Sequence, residues 1–133
     1  MGIVHAEIEL ANARSDDLAP MMVNALVDSG AMHLCIPQHV ANQLQLAVLD
    51  QRGVTFADGR EAKVDYVGPV RIKFANRQCM VGALVFGDEP LLGAIPMEDM
   101  DLVIHPGRHT LTVNPANPNI PMSLAMGFGT THQ

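Results

Sequence analysis

The residues with the greatest capacity for chemistry lie between positions 28 and 39. Asp28 ends the apolar run Asn24-Ala25-Leu26-Val27 and opens Ser29-Gly30-Ala31. Leu26 and Val27 favour a buried or half-buried strand, and Gly30 permits a backbone conformation denied to other residues. An acid at the end of an apolar strand needs a reason, and the Ser29 hydroxyl beside it offers a hydrogen-bond donor. The same four residues also suit an ordinary turn. A second chemistry is offered by His33, Cys35 and His39, with Cys79 as a fourth donor, in a mixture of ligand types that zinc accepts. His33 and Cys35 share one face if they lie on a strand, but His39 follows Pro37 into a helix, which leaves its direction unconstrained. The simpler reading is a core thiol beside two solvent-facing imidazoles, with no metal and no cofactor.

The elements that position these residues read as short strands. Ile3 to Leu10 alternates with period two, which suits an edge or interface strand, and Asn12 to Asp17 is a polar turn. Met21 to Val27 leads into the Asp28 turn and Met32 to Ile36 leaves it. Pro37 fits the first turn of a helix reaching Leu46, with Val40, Ala41 and Leu44 on one face. Val54 to Val67 reads as strand, Asp58-Gly59, strand, because that dipeptide is a strong hairpin signal whose turn needs positive φ. Gly68-Pro69 is expected to break the chain before the alternating strand Val70 to Phe74. A turn at Ala75 to Gln78 precedes a central strand, Cys79 to Phe86, covered on both faces. After the polar break at Gly87 to Pro90, Leu91-Leu92-Gly93 re-enters the core. A helix then starts at Pro96, with acids near its N-terminus, and ends at His105-Pro106-Gly107. Thr110 to Val113 forms one more strand. Residues 1–113 therefore form one domain, and the Pro-rich stretch over 114–133 is an extended or mobile tail.

Three of these features come in an order that resembles a known family. Asp28-Ser29-Gly30-Ala31 follows an apolar strand, a Gly-containing hairpin lies centrally at Asp58-Gly59, and Leu91-Leu92-Gly93 comes before a short helix. Together they resemble the retropepsin-like (clan AA) aspartic proteases, single-domain enzymes of which the retroviral proteases are familiar members. The resemblance spans Val23 to Val103 and implies a mostly β acid protease fold: a single lobe with a flap hairpin and one or two short helices, active as a homodimer. It implies Asp28 as the catalytic acid, with Ser29, Gly30 and Ala31 supporting its turn. Ser29 would lock two such turns together across subunits, and Gly30 would offer its backbone to an extended substrate. Phe56, Ala57, Asp58, Gly59 and Arg60 would form the flap, and Leu91, Leu92 and Gly93 the core motif. Two departures stand out. Ala94 occupies a place where retroviral members carry a basic residue, and Asp58 and Arg60 flank a flap tip that is uncharged in those members. The acidic chain looks more like bacterial relatives than like a virion enzyme.

Peptide hydrolysis by carboxylates needs two of them in contact, one ionised to activate water and one protonated to polarise the carbonyl. The chain has one Asp-Ser-Gly, so the implied enzyme is an aspartic endopeptidase in which Asp28 of each subunit meets its copy at a two-fold axis. Its substrate is a peptide or protein in extended conformation. The alternative is a catalytically silent dimeric module of the same fold, with the Pro-rich tail as a binding segment.

Composition narrows the partners. A chain of 133 residues fits one domain, and no apolar run approaches the roughly 20 residues of a membrane helix. A net charge of -6 with few aromatic residues argues against nucleic acid as a partner. The first residues lack a signal-like apolar stretch, so the expected location is cytoplasmic. Cys35 and Cys79 are expected to stay reduced and buried. The nine methionines read as core packing, and Asp99 and Asp101 as residues that cap and solvate a helix.

Overall fold

Apolar residues recurring at every second position let the chain roll its sheet into a closed ring around one core. The structure is a computed structural model and describes residues 2–125. Its elements in chain order are β1 (Val4–Asn12), β2 (Met21–Val27), β3 (Leu34–Ile36), α1 (Gln38–Gln43), β4 (Ala47–Thr55), β5 (Glu61–Phe74), β6 (Arg77–Val85), β7 (Leu91–Leu92), α2 (Ala94–Asp99), β8 (Leu102–His105) and β9 (Thr110–Val113). The main sheet runs β1-β2-β7-β3-β6-β5-β4, and a further pairing of β1 with β5 closes the first six strands into a barrel. Ile8, Leu10, Leu34, Ile36, Val70, Ile72 and Leu92 point inward and are fully shielded from solvent. Val40, Ala41 and Leu44 place the buried face of α1 against the same core, as their spacing predicts. Pro37 precedes the first helical residue as the N-cap.

The strand β5 is one element, where Gly68-Pro69 suggested two. Its first half, Glu61 to Gly68, pairs with β4, while Val70 to Lys73 pairs with β1. The register against β6 shifts between Val67 and Val70, a bulge that bends the strand as it changes partner. The β4–β5 hairpin therefore leaves the barrel. It is also longer than expected, because β4 begins at Ala47. Similarly, β1 is an edge strand only over its first half, since Glu9 to Asn12 pairs with β5. The turn before β6 is shorter than expected, and Arg77 already lies in the strand. Beyond Arg77, β6 is central, but Gln78 and Met80 face solvent, so only its second half is covered on both sides. Met97 and Met100 pack in the core, whereas Met22, Met32, Met80 and Met122 are exposed.

The largest departure follows α2. The helix starts at Ala94 and ends at Asp99, and Leu102 to His105 forms β8, which pairs with β9 in a separate two-stranded ribbon. Asp101 is neither a cap nor a solvated helix residue. It adopts φ of +56° between α2 and β8, and its carboxylate gathers the segment after β9. Oδ1 accepts from Asn114 Nδ2 at 3.0 Å, and Oδ2 accepts from Asn117 Nδ2 at 2.8 Å and from the Met122 N–H at 3.1 Å. Buried Arg77 donates to the Asn117 carbonyl, and Asn76 Nδ2 donates to the Pro118 carbonyl at 3.0 Å. This segment has no helix or strand, yet it is tied to the body as far as Met122. No helix among the described residues is long and apolar enough to cross a membrane.

The hydrogen bond from Asn114, then those from the Met122 N–H and Asn117, and lastly the charge of Arg77, hold the Asp101 carboxyl below the usual aspartate range. A depressed acid contributes stability that is complete above its unfolded value, near pH 4, and is lost as pH falls through the folded value. Hydrogen exchange should therefore find the Met122 amide protected near neutrality and unprotected only in acid. In Asp101→Ala that protection is expected to be missing at every pH.

Candidate active site

The turn containing Asp28 is built around a strand inserted between its two arms. The arms are β2 and β3, and β7 lies between them. Leu26 and Val27 pair in parallel with Leu91 and Leu92, while Cys35 pairs antiparallel with Leu91. Two leucines suit this place because β7 passes through the interior, where Leu92 is wholly buried. The Asp28 N–H donates to the Leu92 carbonyl at 3.0 Å. Beyond β7 the chain continues to brace the turn, with Ala94 N–H donating to the Ala31 carbonyl and Ile95 N–H to the Met32 carbonyl, both at 2.8 Å. Gly93 makes this approach possible. A Cβ there would lie 2.4 Å from the His33 carbonyl oxygen and 2.8 Å from that of Ala31.

At the apex the Asp28 carboxylate folds back on its own turn. Oδ1 accepts from the Gly30 N–H at 2.9 Å, and the Ala31 N–H donates to the Asp28 carbonyl at 3.2 Å. Ser29 and Gly30 are exposed, and Asp28 and Ala31 are half-buried. The motif therefore presents an anchored carboxylate at an open surface. Ser29 also borders a hollow of about 320 Å³ shared with Ala94, Met97 and the apolar strand β8. Cys35, on the outgoing arm, is a buried thiol pushed up to about 11, chiefly by burial and further by the Asp28 charge. Cys79 is pushed up to about 12 by burial and by Asp99. Both are free cysteines in apolar surroundings. His39 lies exposed on α1, and among the described residues no group of three or more His, Cys, Asp or Glu is placed to hold a metal ion.

The tip of the β4–β5 hairpin is formed by Phe56, Ala57, Asp58, Gly59 and Arg60, but its geometry differs from the two-residue turn that Asp58-Gly59 suggests. Only Gly59 has positive φ, at +88°. The Gly59 N–H donates to the Phe56 carbonyl at 2.9 Å, and the Phe56 N–H donates to the Arg60 carbonyl at 2.8 Å. This is a three-residue loop, in which a turn is followed by one left-handed residue. The Asp58 side chain selects it, with Oδ1 accepting from the Arg60 N–H at 3.0 Å and Oδ2 from Arg60 Nε at 2.7 Å. The Arg60 guanidinium lies 5.2 Å from the Phe56 ring, which packs edge-on against Phe86 at 5.4 Å.

Between the Asp28 turn and this hairpin runs a cleft of about 370 Å³, reached by Gly30, Ala31, His33 and Cys35 from one side and by Arg52, Val54 and Phe56 from the other. Residues that the motifs did not single out complete it: Leu84 and Phe86 line it, and Tyr66 supports Arg52 and His33 of its lining. Tyr66 stands over Gly82, where a Cβ would lie 2.1 Å from the ring. The Arg52 guanidinium lies 4.0 Å from the Tyr66 centroid, and His33 meets the same ring edge-on at 6.1 Å. The alternation Arg52-x-Val54-x-Phe56 is the signal that could have assigned Arg52 to this face.

A six-stranded barrel with a projecting hairpin, and an Asp-Ser-Gly turn braced by Leu-Leu-Gly, define a retropepsin-like aspartic protease fold. The chain belongs to the aspartyl protease family, whose family model matches residues 11–126. Among solved structures it is similar to EIAV protease complexed with the inhibitor HBY-793, with a TM-score of 0.54 and 20% identity over 74% of this chain and 88% of that one. It is likewise similar to the retroviral protease-like domain of Ddi1 from Leishmania major, with a TM-score of 0.54 and 17% identity over 90% of this chain and 94% of that one. At these identities the likeness establishes the fold. Comparison with curated proteins gives no significant match.

The close approach at Gly93 yields a stability prediction. Gly93→Ala presses a methyl group onto backbone that cannot swing away, so urea denaturation should show a loss of about 1–3 kcal/mol. Gly107→Ala meets open space and is expected to change stability by less than about 0.5 kcal/mol.

Proposed function

We propose that the protein is an aspartic endopeptidase that works as a homodimer, with Asp28 of each subunit meeting its copy across a two-fold axis. The observation that carries this reading is an anchored carboxylate at an open apex. Asp28 is held by the Gly30 N–H and braced from behind by Leu92, next to a cleft overhung by a hairpin. A half-buried acid held this firmly beside the exposed Ser29 and Gly30 suits a partner carboxylate brought up from outside the subunit.

In the dyad the ionised Asp28 takes a proton from water while its protonated copy donates a hydrogen bond to the scissile carbonyl oxygen. Water attacks the carbonyl carbon, and the resulting tetrahedral carbon collapses as a carboxyl proton passes to the leaving nitrogen. Ser29, exposed beside the acid, would tie the two turns together, and the hollow it shares with β8 supplies apolar surface near the axis. The Phe56 to Arg60 tip serves as the flap. It closes over an extended peptide and excludes water from the reacting bond, while exposed backbone at Gly30 pairs with the peptide main chain.

The deciding experiment is cleavage of a mixed peptide library by wild type and Asp28→Asn, with sedimentation equilibrium of both. Wild type is expected to sediment as a dimer and to cleave. Asp28→Asn should keep the dimer and lose turnover by roughly 10²–10⁴-fold. Because one proton must be shared by two carboxylates, turnover should follow a bell on the acid side of neutrality. Cleavage by Asp28→Asn at a rate close to wild type, or full activity from a monomer, overturns the mechanism. A wild-type dimer that binds peptides without cutting them identifies the silent interaction module instead.

A further inference from the structure

The hairpin lies over the cleft, and the one charged side chain that it contributes to the cleft lining is Arg52. Along β4 and into the tip, Arg52, Val54 and Phe56 are half-buried, while Gln51, Gly53 and Thr55 are exposed, the alternation of a strand with one covered side. All three covered residues line the cleft, and Gly53 and Thr55 between them reach its edge as well. Arg52 is the one Lys or Arg among the cleft-lining residues, and no Asp or Glu is among them.

The guanidinium is already fixed in orientation. It stacks on Tyr66 with 4.0 Å between Cζ and the ring centroid, and Tyr66 is itself seated in the space left by Gly82 and met by His33. Nε donates to Asp50 Oδ2 at 3.1 Å, and Asp50, exposed and also accepting from the Gln51 N–H, is drawn to the Nε side of the group. Among the described residues this is the hydrogen bond that Arg52 makes, so the paired terminal nitrogens remain available. A planar guanidinium stacked on an aromatic ring is organised in advance for a carboxylate, which it can receive through two parallel hydrogen bonds. An extended peptide in the cleft turns every second side chain toward the hairpin.

We propose that Arg52, stacked on Tyr66, is a specificity-determining residue that receives the carboxylate of a Glu or Asp side chain from an extended peptide in the cleft. The inference rests on the endopeptidase reading for its substrate class and adds the chemistry that selects among substrates. A glutamine at the same place has the same shape and lacks the charge, and a lysine brings a like charge toward Arg52.

The test uses matched peptide series that differ only by Glu, Gln or Lys at each position flanking the cleaved bond. Wild type is expected to prefer one Glu position over Gln by roughly fivefold in kcat/KM, the scale of a partly exposed ion pair, with the ratio shrinking as salt rises. Arg52→Gln should bring the ratio to one, and Arg52→Glu should move the preference to Lys. This charge swap separates recognition from a structural role, since loss of packing alone would not favour lysine. The same peptides, labelled and titrated onto Asp28→Asn by fluorescence anisotropy, measure recognition without turnover. Cleavage with no Glu preference, or a preference that survives Arg52→Gln, overturns the subsite and leaves the endopeptidase standing. Glu-selective binding that depends on Arg52, with no cleavage by wild type, supports the subsite and overturns the endopeptidase. Absence of both Glu-selective binding and cleavage overturns the two together.

Discussion

The need to satisfy backbone polar groups at an exposed turn governs the architecture of this protein. A strand that ends in Asp-Ser-Gly leaves N–H and C=O groups on two diverging arms, and a turn with such groups unpaired would not keep a fixed shape. The insertion of β7 between β2 and β3 meets that need. Leu91 pairs with both arms, Leu92 takes the Asp28 N–H, and Ala94 and Ile95 take the carbonyls of Ala31 and Met32. Because β7 must thread between the arms, it has to be short, apolar and followed by a residue without a side chain. The local sequence Leu-Leu-Gly meets each condition.

A second constraint arises from β5, which serves two partners in succession. Its bulge lets one strand close the barrel with β1 and also carry a hairpin away from it with β4. The two jobs are mechanically separate. The barrel half is fully buried at Val70 and Ile72, whereas the hairpin is covered on one side only. Burial sets local stability against opening, so the firm half closes the barrel while the half above the cleft is the one free to yield.

Much of this was legible in the sequence wherever a feature is fixed by neighbours along the chain. The run into Asp28, the face of α1 and the hairpin around Asp58-Gly59 depend on residues a few positions apart. The features that escaped depend on distant partners. Gly68-Pro69 looks like a break because the sequence does not show that β5 changes partner there. Leu102 to His105 looks like a continuing helix because the ribbon with β9 is decided across the Pro106 to His109 turn. Asp101 looks like a helix residue because its ligands lie at Asn114, Asn117 and Met122. At the hairpin tip the dipeptide was recognised but the turn type was not, since the Asp58 carboxylate and the Arg60 N–H settle it together. Within the site the same division holds: Asp28 and its turn are a contiguous motif, whereas Arg52, Tyr66 and Gly82 come together only when β4, β5 and β6 pair.

The seating of Tyr66 over Gly82 couples two positions that lie far apart along the chain. The ring fills the volume that a side chain at position 82 would otherwise occupy, so the two positions share one space. A larger residue at 82 meets the ring, and a smaller residue at 66 leaves a hollow beneath Arg52. Neither change is neutral until the other has occurred. The two positions are thus coupled through one volume, and a change at either is accommodated fully only by a complementary change at the other.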